Sequence, residues 1–269
     1  MTICHDFGRA FLAAAAVSIL LGASTSAAGT PKTIMPNSFV YLRDVDPTIQ
    51  QDMRYAGSDN FTGGPVPGYD APECILVREA AEALKVAQAD IKPMGYALKV
   101  YDCYRPAQAV SAFVDWSTEP DDPDAKRTHY PNLSKSDLFP KYIATRSGHS
   151  RGATLDVTIV PIGSAPSPAE ADHVKPEPCT EGDPADNSLA LGTGFDCFDV
   201  KANTVTKGLT PEEERNRQLL LKVMSRHGFQ NYPKEIWHYT FQPEPFPDTY
   251  FDFPILPLRG SGSGPSDKT

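Results

Sequence analysis

The sequence predicts a single domain of the α+β class, and three observations support this. Three segments have the apolar spacing or the end signals of helices, and three others are apolar runs of strand length. The two kinds of segment are interspersed along the chain, without internal repeats and without a strong domain break. The 269 residues, 40% of them hydrophobic and 22% charged, suffice for one large globular domain.

The predicted elements begin with a helix over residues 76–90. Leu76, Ala80, Leu84 and Ala87 lie on one apolar face of this helix. The remaining segments are short strands and loops over 29–75, a strand over 96–104, a helix over 105–117, a polar loop over 118–146, a strand over 152–162, a helix over 210–228 and a strand over 235–242.

Local signals mark the ends of two of these helices. Pro93 and Gly95 end the first one. Before the last one, Thr210 can cap the helix, Pro211 fits its first position and Glu213 completes a capping box. The last helix is therefore predicted to begin at Thr210.

The N-terminus has the features of a secretory signal peptide over residues 1–28. An apolar run, "AFLAAAAVSILLG" (10–22), follows the basic Arg9 and precedes small residues that suit cleavage after Ala27 or Ala28. The run is short for a transmembrane helix, and an uncleaved anchor is the alternative. We therefore expect export to the periplasm or the medium.

The predicted mature domain covers residues 29–258, and the polar tail over 259–269 is predicted to be flexible. No other segment approaches membrane-spanning length, so we expect no stable membrane insertion after cleavage. The net charge of −9 argues against nucleic acid and anionic membranes as main partners. A small molecule or a peptide is the expected substrate class.

Cysteine usage fits an oxidising compartment. Cys4 leaves with the predicted signal peptide, and four cysteines remain, which suggests two disulfides. Three pairings are possible. We favour Cys179–Cys197, which closes a short loop, and therefore Cys74–Cys103. A four-cysteine zinc site is the alternative, although the chain has no CxxC pair.

Two segments bring histidine and carboxylate together. "SGHSRGATLD" offers His149 in a loop and Asp156 on the following strand, and "EIWHY" offers Glu235 and His238. Two nitrogen ligands and one oxygen ligand make a plausible zinc set, and Glu235 is then free to act as general base. Structural roles for the histidines are the alternative. His129 lies in a polar loop and gives no functional signal.

The spacing of Glu235 and His238 constrains where the glutamate can lie. Residues three apart on a regular strand point to opposite faces. Glu235 must therefore precede the strand or occupy a bulge, and Pro233 indicates a strand boundary nearby.

These two motifs resemble those of a known enzyme family. "SGHSRGATLDVT" is similar to the SxHxxGxAxD signature of the D-alanyl-D-alanine dipeptidases and related D,D-carboxypeptidases, with Thr154 where the pattern usually has Ala and Leu155 where it has an aliphatic residue. "EIWHY" resembles the family's Glu-x-Trp-His motif. Further segments that resemble the vancomycin-resistance dipeptidases occur in the same order, at 54–69, 101–106, 192–199, 215–224 and 250–255. The resemblance covers about residues 40 to 256.

The resemblance implies a central antiparallel sheet with flanking helices and a single zinc ion bound on the sheet. His149, Asp156 and His238 would be the ligands, and Glu235 would deprotonate the attacking water. Arg105 would stabilise the oxyanion that develops during hydrolysis. For Arg105 the alternative is an ion pair at the surface or at a helix N-terminus.

The resemblance also implies substrate contacts. Asp196 would receive the free amino group of the substrate, and Ser147 and Tyr55 match positions near the substrate. Tyr69 is a weaker match, for which simple packing is the alternative. Cys103 departs from the family, because a glycine is common at this position; a disulfide here would tether the segment that presents Arg105.

The function implied is zinc-dependent hydrolysis of D-alanyl-D-alanine to two D-alanines, for the turnover of cell-wall fragments. Three alternatives remain: a D,D- or L,D-carboxypeptidase that trims peptidoglycan stem peptides, a metal-containing binding module without catalysis, and a role in glycopeptide-antibiotic immunity. The Pro- and acid-rich segment over 161–188 is a predicted loop insertion that covers the site or merely decorates the surface.

Overall fold

The fold is built on a five-stranded sheet whose inner strands carry two of the three predicted ligands. The computed structural model describes residues 34–164, residue 179 and residues 186–258. The strands in these ranges are β1 Phe39–Tyr41, β2 Gln50–Gln51, β3 Ile75–Val77, β4 Tyr96–Asp102, β5 Thr154–Pro161, β6 Phe229–Asn231 and β7 His238–Phe241. The large sheet has the order β2-β4-β5-β7-β6, and β1 pairs with β3 separately.

The register of the sheet aligns three polar residues across neighbouring strands. Asp156 on β5 lies opposite His238 on β7 and also opposite Asp102 at the end of β4. An irregularity between Val100 and Asp102 shifts the register just before this row. Directly opposed residues point to the same face, so the three side chains meet at one end of the sheet.

Helices cover the apolar side of the sheet. The described helices are α1 Leu42–Val45, α2 Arg78–Ile91, α3 Ala107–Thr118, α4 Pro123–His129 and α5 Pro211–Arg226. On β5, Leu155, Val157 and Ile159 are fully buried, as are Leu84 of α2 and Leu220 of α5. Alternation along β5 therefore sends aliphatic residues into the core and leaves Asp156 on the opposite face.

These observations confirm the predicted α+β class and the central, largely antiparallel sheet with flanking helices. One strand differs, because β2 runs parallel to β4. The capping box predicted for the last helix is also present: the Thr210 hydroxyl accepts from the Glu213 N–H, and the Glu213 carboxylate accepts from the Thr210 N–H. Gly228, with φ 85°, follows the helix as predicted.

Several predicted boundaries were wrong. Residues 118–146 are not only loop, because α4 begins there, capped by the Asp122 carboxylate. The strand β6 was not predicted. The second helix begins at Ala107 rather than at 105, since Pro106 keeps an extended backbone with ψ 144°. The last strand begins at His238 rather than at 235.

Both favoured disulfides are confirmed: Cys74 is bonded to Cys103, and Cys179 to Cys197. The predicted signal peptide, the tail over 259–269 and most of the insertion over 161–188 lie outside the described residues. In the part of the chain that the structure describes, no helix is long and apolar enough to cross a membrane.

Candidate active site

The SxHxxG segment makes a tight turn that delivers His149 to the end of β5. Residues Gly148–Arg151 form one turn of 3-10 helix. At its start the His149 N–H donates to the Ser147 hydroxyl oxygen at 3.2 Å. Gly152 then adopts a φ of 80°, and a Cβ at this position would lie 2.1 Å from the Phe39 ring. Only glycine fits both demands, which explains its place in the motif.

The three predicted ligands converge on one point. His149 Nε2 lies 3.3 Å from His238 Nδ1, and Asp156 Oδ1 lies 3.5 Å and 3.1 Å from these two nitrogens. In a tetrahedral zinc site with bonds of about 2.0–2.1 Å, neighbouring ligand atoms are about 3.3 Å apart. The donor set and the size of the triangle therefore both fit a zinc ion.

Asp156 provides an independent test of this fit. Its Oδ1 is buried and, among the described residues, has no hydrogen bond, although it faces two imidazole nitrogens. A buried carboxylate oxygen without a donor is costly unless a cation approaches it. Burial raises the pKa of Asp156, but the neighbouring His149 and His238 outweigh the burial and hold this pKa well below its ordinary value.

A backbone carbonyl sets the tautomer of His149. Its Nδ1 lies 2.8 Å from the carbonyl oxygen of Cys103 and 3.3 Å from the Asp102 carboxylate. Both neighbours are acceptors, so Nδ1 carries the proton and Nε2 presents its lone pair to the triangle. The Cys74–Cys103 disulfide anchors the residue that provides this carbonyl.

Glu235 lies before β7, as the spacing predicted. The His238 N–H donates to the Glu235 carbonyl oxygen at 3.2 Å and closes a turn. This turn brings the glutamate back towards the histidine. Its carboxylate lies 3.3 Å from His238 Nδ1. Burial and the negative charge of Asp156 raise the pKa of Glu235 to about 8. A carboxyl group with this pKa can both accept and donate a proton near neutral pH.

Arg105 is held in the pocket by a residue that the sequence did not reveal. Its Nε and Nη2 donate to Asp102 Oδ2 at 3.0 and 2.9 Å, and Asp102 is fully buried. The guanidinium also lies over the rings of Tyr55 and Phe113, at 5.1 and 5.0 Å. The ion pair lies just before the N-terminus of α3, it is buried rather than at the surface, and its cation lines the site.

Asp102 contacts three side chains of the site. Besides Arg105 and His149, it accepts a hydrogen bond from the Tyr69 hydroxyl at 2.7 Å. Tyr69 therefore does more than pack, since it fixes the carboxylate that orients the arginine. Burial raises the pKa of Asp102, against the opposing influence of Arg105 and His149. An aspartate at the end of a largely apolar strand was the available signal in the sequence.

Asp196 and Tyr55 form a second acidic group in the same cavity. The Tyr55 hydroxyl lies 3.1 Å from both carboxylate oxygens of Asp196. Within the described ranges no cationic side chain lies within ion-pair distance of Asp196. Burial, reinforced by the charge of Asp156, raises the pKa of Asp196 well above its ordinary value. A buried carboxyl group of this kind favours a positively charged ligand.

The cavity brings all eight predicted site residues together. It is lined by His149, Asp156, His238, Glu235, Arg105, Asp196, Ser147 and Tyr55. Its volume of about 190 Å³ is small beside the pockets of roughly 300–1,000 Å³ that hold drug-sized molecules. A short ligand with polar ends suits this space.

Two imidazoles, a carboxylate and an adjacent carboxyl group of raised pKa are the side chains that a metallopeptidase uses. Comparison with known proteins identifies the kind of metallopeptidase. Residues 35–165 and 180–256 match the model of a peptidase family described as D-ala-D-ala dipeptidase. The chain belongs to this family.

Individual relatives support the same assignment. The D-alanyl-D-alanine dipeptidases of Enterococcus faecalis and Streptomyces coelicolor are 36% and 38% identical to the chain over 222 residues. These alignments cover 82% of this chain and 100% of each relative. The D-alanyl-D-alanine dipeptidase of Escherichia coli is 27% identical over 203 residues, 74% of this chain and 82% of the relative.

Proposed function

We propose that this chain is an exported zinc dipeptidase that hydrolyses D-alanyl-D-alanine to two D-alanines. The observation that carries the proposal is the triangle of His149, Asp156 and His238 with Glu235 beside it. Membership of the family and the names of the relatives support the substrate.

The three ligand residues would hold one zinc ion, which when bound supplies a Lewis acid and lowers the pKa of water. Glu235 would take a proton from the attacking water and pass it to the leaving amine. Its carboxylate, 3.3 Å from His238 Nδ1, lies beside the ligand triangle, a position that suits both steps. Arg105, oriented by Asp102, would stabilise negative charge that develops on the carbonyl oxygen.

The substrate's amino group would bind to Asp196. An ammonium ion would give this buried carboxylate the cation that the described side chains do not provide. Tyr55 would hold the carboxylate in place, and Ser147, at the edge of the cavity, would contact the rest of the dipeptide. A blocked amine would leave the carboxyl group buried without a counter-ion, so the site should favour short free peptides over stem peptides.

Export and a role in cell-wall fragment turnover are part of the proposal. The signal-like residues 1–28 and the two disulfides support export, since disulfides persist in oxidising compartments. The catalytic domain would then be residues 29–258. An enzyme outside the cytoplasm would meet dipeptides released from the wall rather than those used for precursor synthesis, which disfavours a primary role in antibiotic immunity.

The first experiment is hydrolysis of free D-Ala-D-Ala by the zinc-loaded mature protein. An N-acetylated tripeptide that ends in D-Ala-D-Ala is assayed beside it, and Glu235→Gln is the control variant, with its zinc content measured. We expect cleavage of the free dipeptide alone, lost in Glu235→Gln although zinc is retained. Cleavage of the blocked peptide would instead indicate a carboxypeptidase, and cleavage of neither would favour a binding module.

A further inference from the structure

The backbone of Asp196 has an unusual conformation. Its φ is 61°, and in the described part of the chain it is the only residue other than glycine with a positive φ. Side chains disfavour this left-handed region, so surrounding contacts must hold the residue there. The conformation matters because Asp196 contributes a buried carboxylate to the cavity.

One residue of α4 contacts the backbone immediately after this conformation at two points. His129 Nδ1 lies 3.1 Å from the Asp196 carbonyl oxygen, and the carbonyl oxygen of His129 accepts from the Phe198 N–H at 2.7 Å. Next to these contacts, the Cys179 N–H donates to the Thr128 carbonyl at 3.3 Å. The end of α4 therefore anchors the chain around Asp196 through two residues.

The chemistry of the His129 contact is well defined. A carbonyl oxygen can only accept, so Nδ1 must carry a proton. Burial lowers the pKa of His129 to about 4, and the ring is therefore neutral at physiological pH with its proton on Nδ1. His129 is then a neutral donor aimed at the backbone of Asp196, and it lies outside the group of side chains that line the cavity.

We propose that His129 is a positioning residue that sets the affinity of the site for the substrate's free amino group. By donating to the Asp196 carbonyl it holds the left-handed backbone that directs the carboxylate to Tyr55 and into the cavity. This inference rests on the proposed function, because it assumes that Asp196 receives the ammonium group. It adds a residue of α4, 67 positions before Asp196 in the sequence, to the recognition of that group.

Two substitutions separate the hydrogen bond from simple packing. Asparagine at position 129 can place its Nδ2 donor near the position of Nδ1 but loses ring volume. Leucine keeps more volume but has no donor. If the hydrogen bond matters, His129→Asn retains the wild-type KM for D-Ala-D-Ala and His129→Leu raises it by about tenfold, with little change in kcat. A pure packing role predicts the opposite order.

A ligand without an amino group provides the decisive control. Propionyl-D-alanine lacks only the amine, and its inhibition constant is measured for the same variants. We expect His129→Leu to weaken the free dipeptide and to leave propionyl-D-alanine unchanged, with wild-type zinc affinity. Equal weakening of both ligands, or an unchanged KM, would overturn the inference. If the leucine variant does not fold, His129→Gln, which moves the donor towards the position of Nε2, replaces it.

The outcomes also distinguish this inference from the proposed function. A wild-type protein that neither binds nor cleaves the dipeptide would overturn both. An active wild type whose His129 variants lack the expected pattern would overturn the role of His129 alone.

Discussion

The Cys74–Cys103 disulfide should support the metal site as well as the fold, and the second disulfide offers a matched control. Cys103 provides the carbonyl that accepts from His149 Nδ1 at 2.8 Å. The two disulfides span 29 and 18 residues. By loop-closure entropy they stabilise the fold by similar amounts, about 3.6 and about 3.2 kcal/mol. Removing either one should therefore cost nearly the same stability.

The zinc affinity should respond differently. In Cys74→Ala/Cys103→Ala the carbonyl at 103 remains but is no longer anchored, so His149 loses its fixed partner. Loss of such partners typically weakens metal binding by about 10–100-fold, and we expect about tenfold here. In Cys179→Ala/Cys197→Ala the contacts of His149 are untouched, and zinc affinity should change by less than about threefold.

The assay is competition between the protein and a zinc chelator, with urea unfolding as the measure of stability. Alanine variants are used rather than reduction, because free thiols would themselves bind zinc. Equal zinc affinities in the two double variants, with both destabilised, would refute a positioning role for the disulfide. Lower zinc affinity in the Cys179/Cys197 variant alone would refute the assignment of His149's partner.

Three further predictions concern the pH dependence of the fold and two structural side chains. In chelator-treated protein, the stability of wild type relative to Glu235→Gln should be highest below pH 4.5 and fall as the pH rises through 8. The pKa of Glu235 in the folded protein, about 8, exceeds the ordinary value of 4.5, so the stability difference between the two proteins should change by at most about 4–5 kcal/mol over this range. If urea unfolding gave parallel pH profiles for wild type and Glu235→Gln, this prediction would be contradicted. Arg217→Met should lower the free energy of unfolding by about 3 kcal/mol or more, because Arg217 donates to three backbone carbonyls at 2.6–2.8 Å; a loss below about 1 kcal/mol in urea unfolding would contradict this. Thr210→Ala should cost about 1 kcal/mol by removing the cap of α5, and an unchanged melting temperature would show that this cap is dispensable.

Local signals in the sequence predicted local structure well. The capping box at Thr210 and Glu213 depends on residues three apart, so it can be found without knowledge of the fold. The same kind of signal was present at Asp122 and Pro123, where α4 begins, but the segment has too few apolar residues to show helical periodicity. The helix was missed because its burial depends on tertiary contacts such as that of His129.

The candidate ligands were predictable because their motifs are compact, whereas their supporting partners were not. Asp102 joins Tyr69, 33 positions away, to His149, 47 positions away, and nothing in the sequence periodicity encodes that meeting. The register irregularity after Val100 places Asp102 opposite Asp156, and such irregularities are not visible in a hydrophobic pattern. The ligands could be predicted because residue type within a short motif identifies them. The contacts of Asp102 could not, because they depend on the long-range register of the sheet.

The charges of the site explain why the most perturbed carboxyl groups lie where they do. Several buried carboxyl groups lie close together here, and Arg105, paired with Asp102, is the principal cation near them. Burial and mutual repulsion raise the pKa values of Glu235 and Asp196, and the nearby Arg105 opposes this effect only in part. Glu235 adjoins the proposed zinc ligands, and Asp196 is the proposed ammonium site. These two carboxyl groups therefore lie where the proposed reaction brings a positive charge. A metal cation and a free amine would each stabilise the ionised form of the carboxyl group beside them.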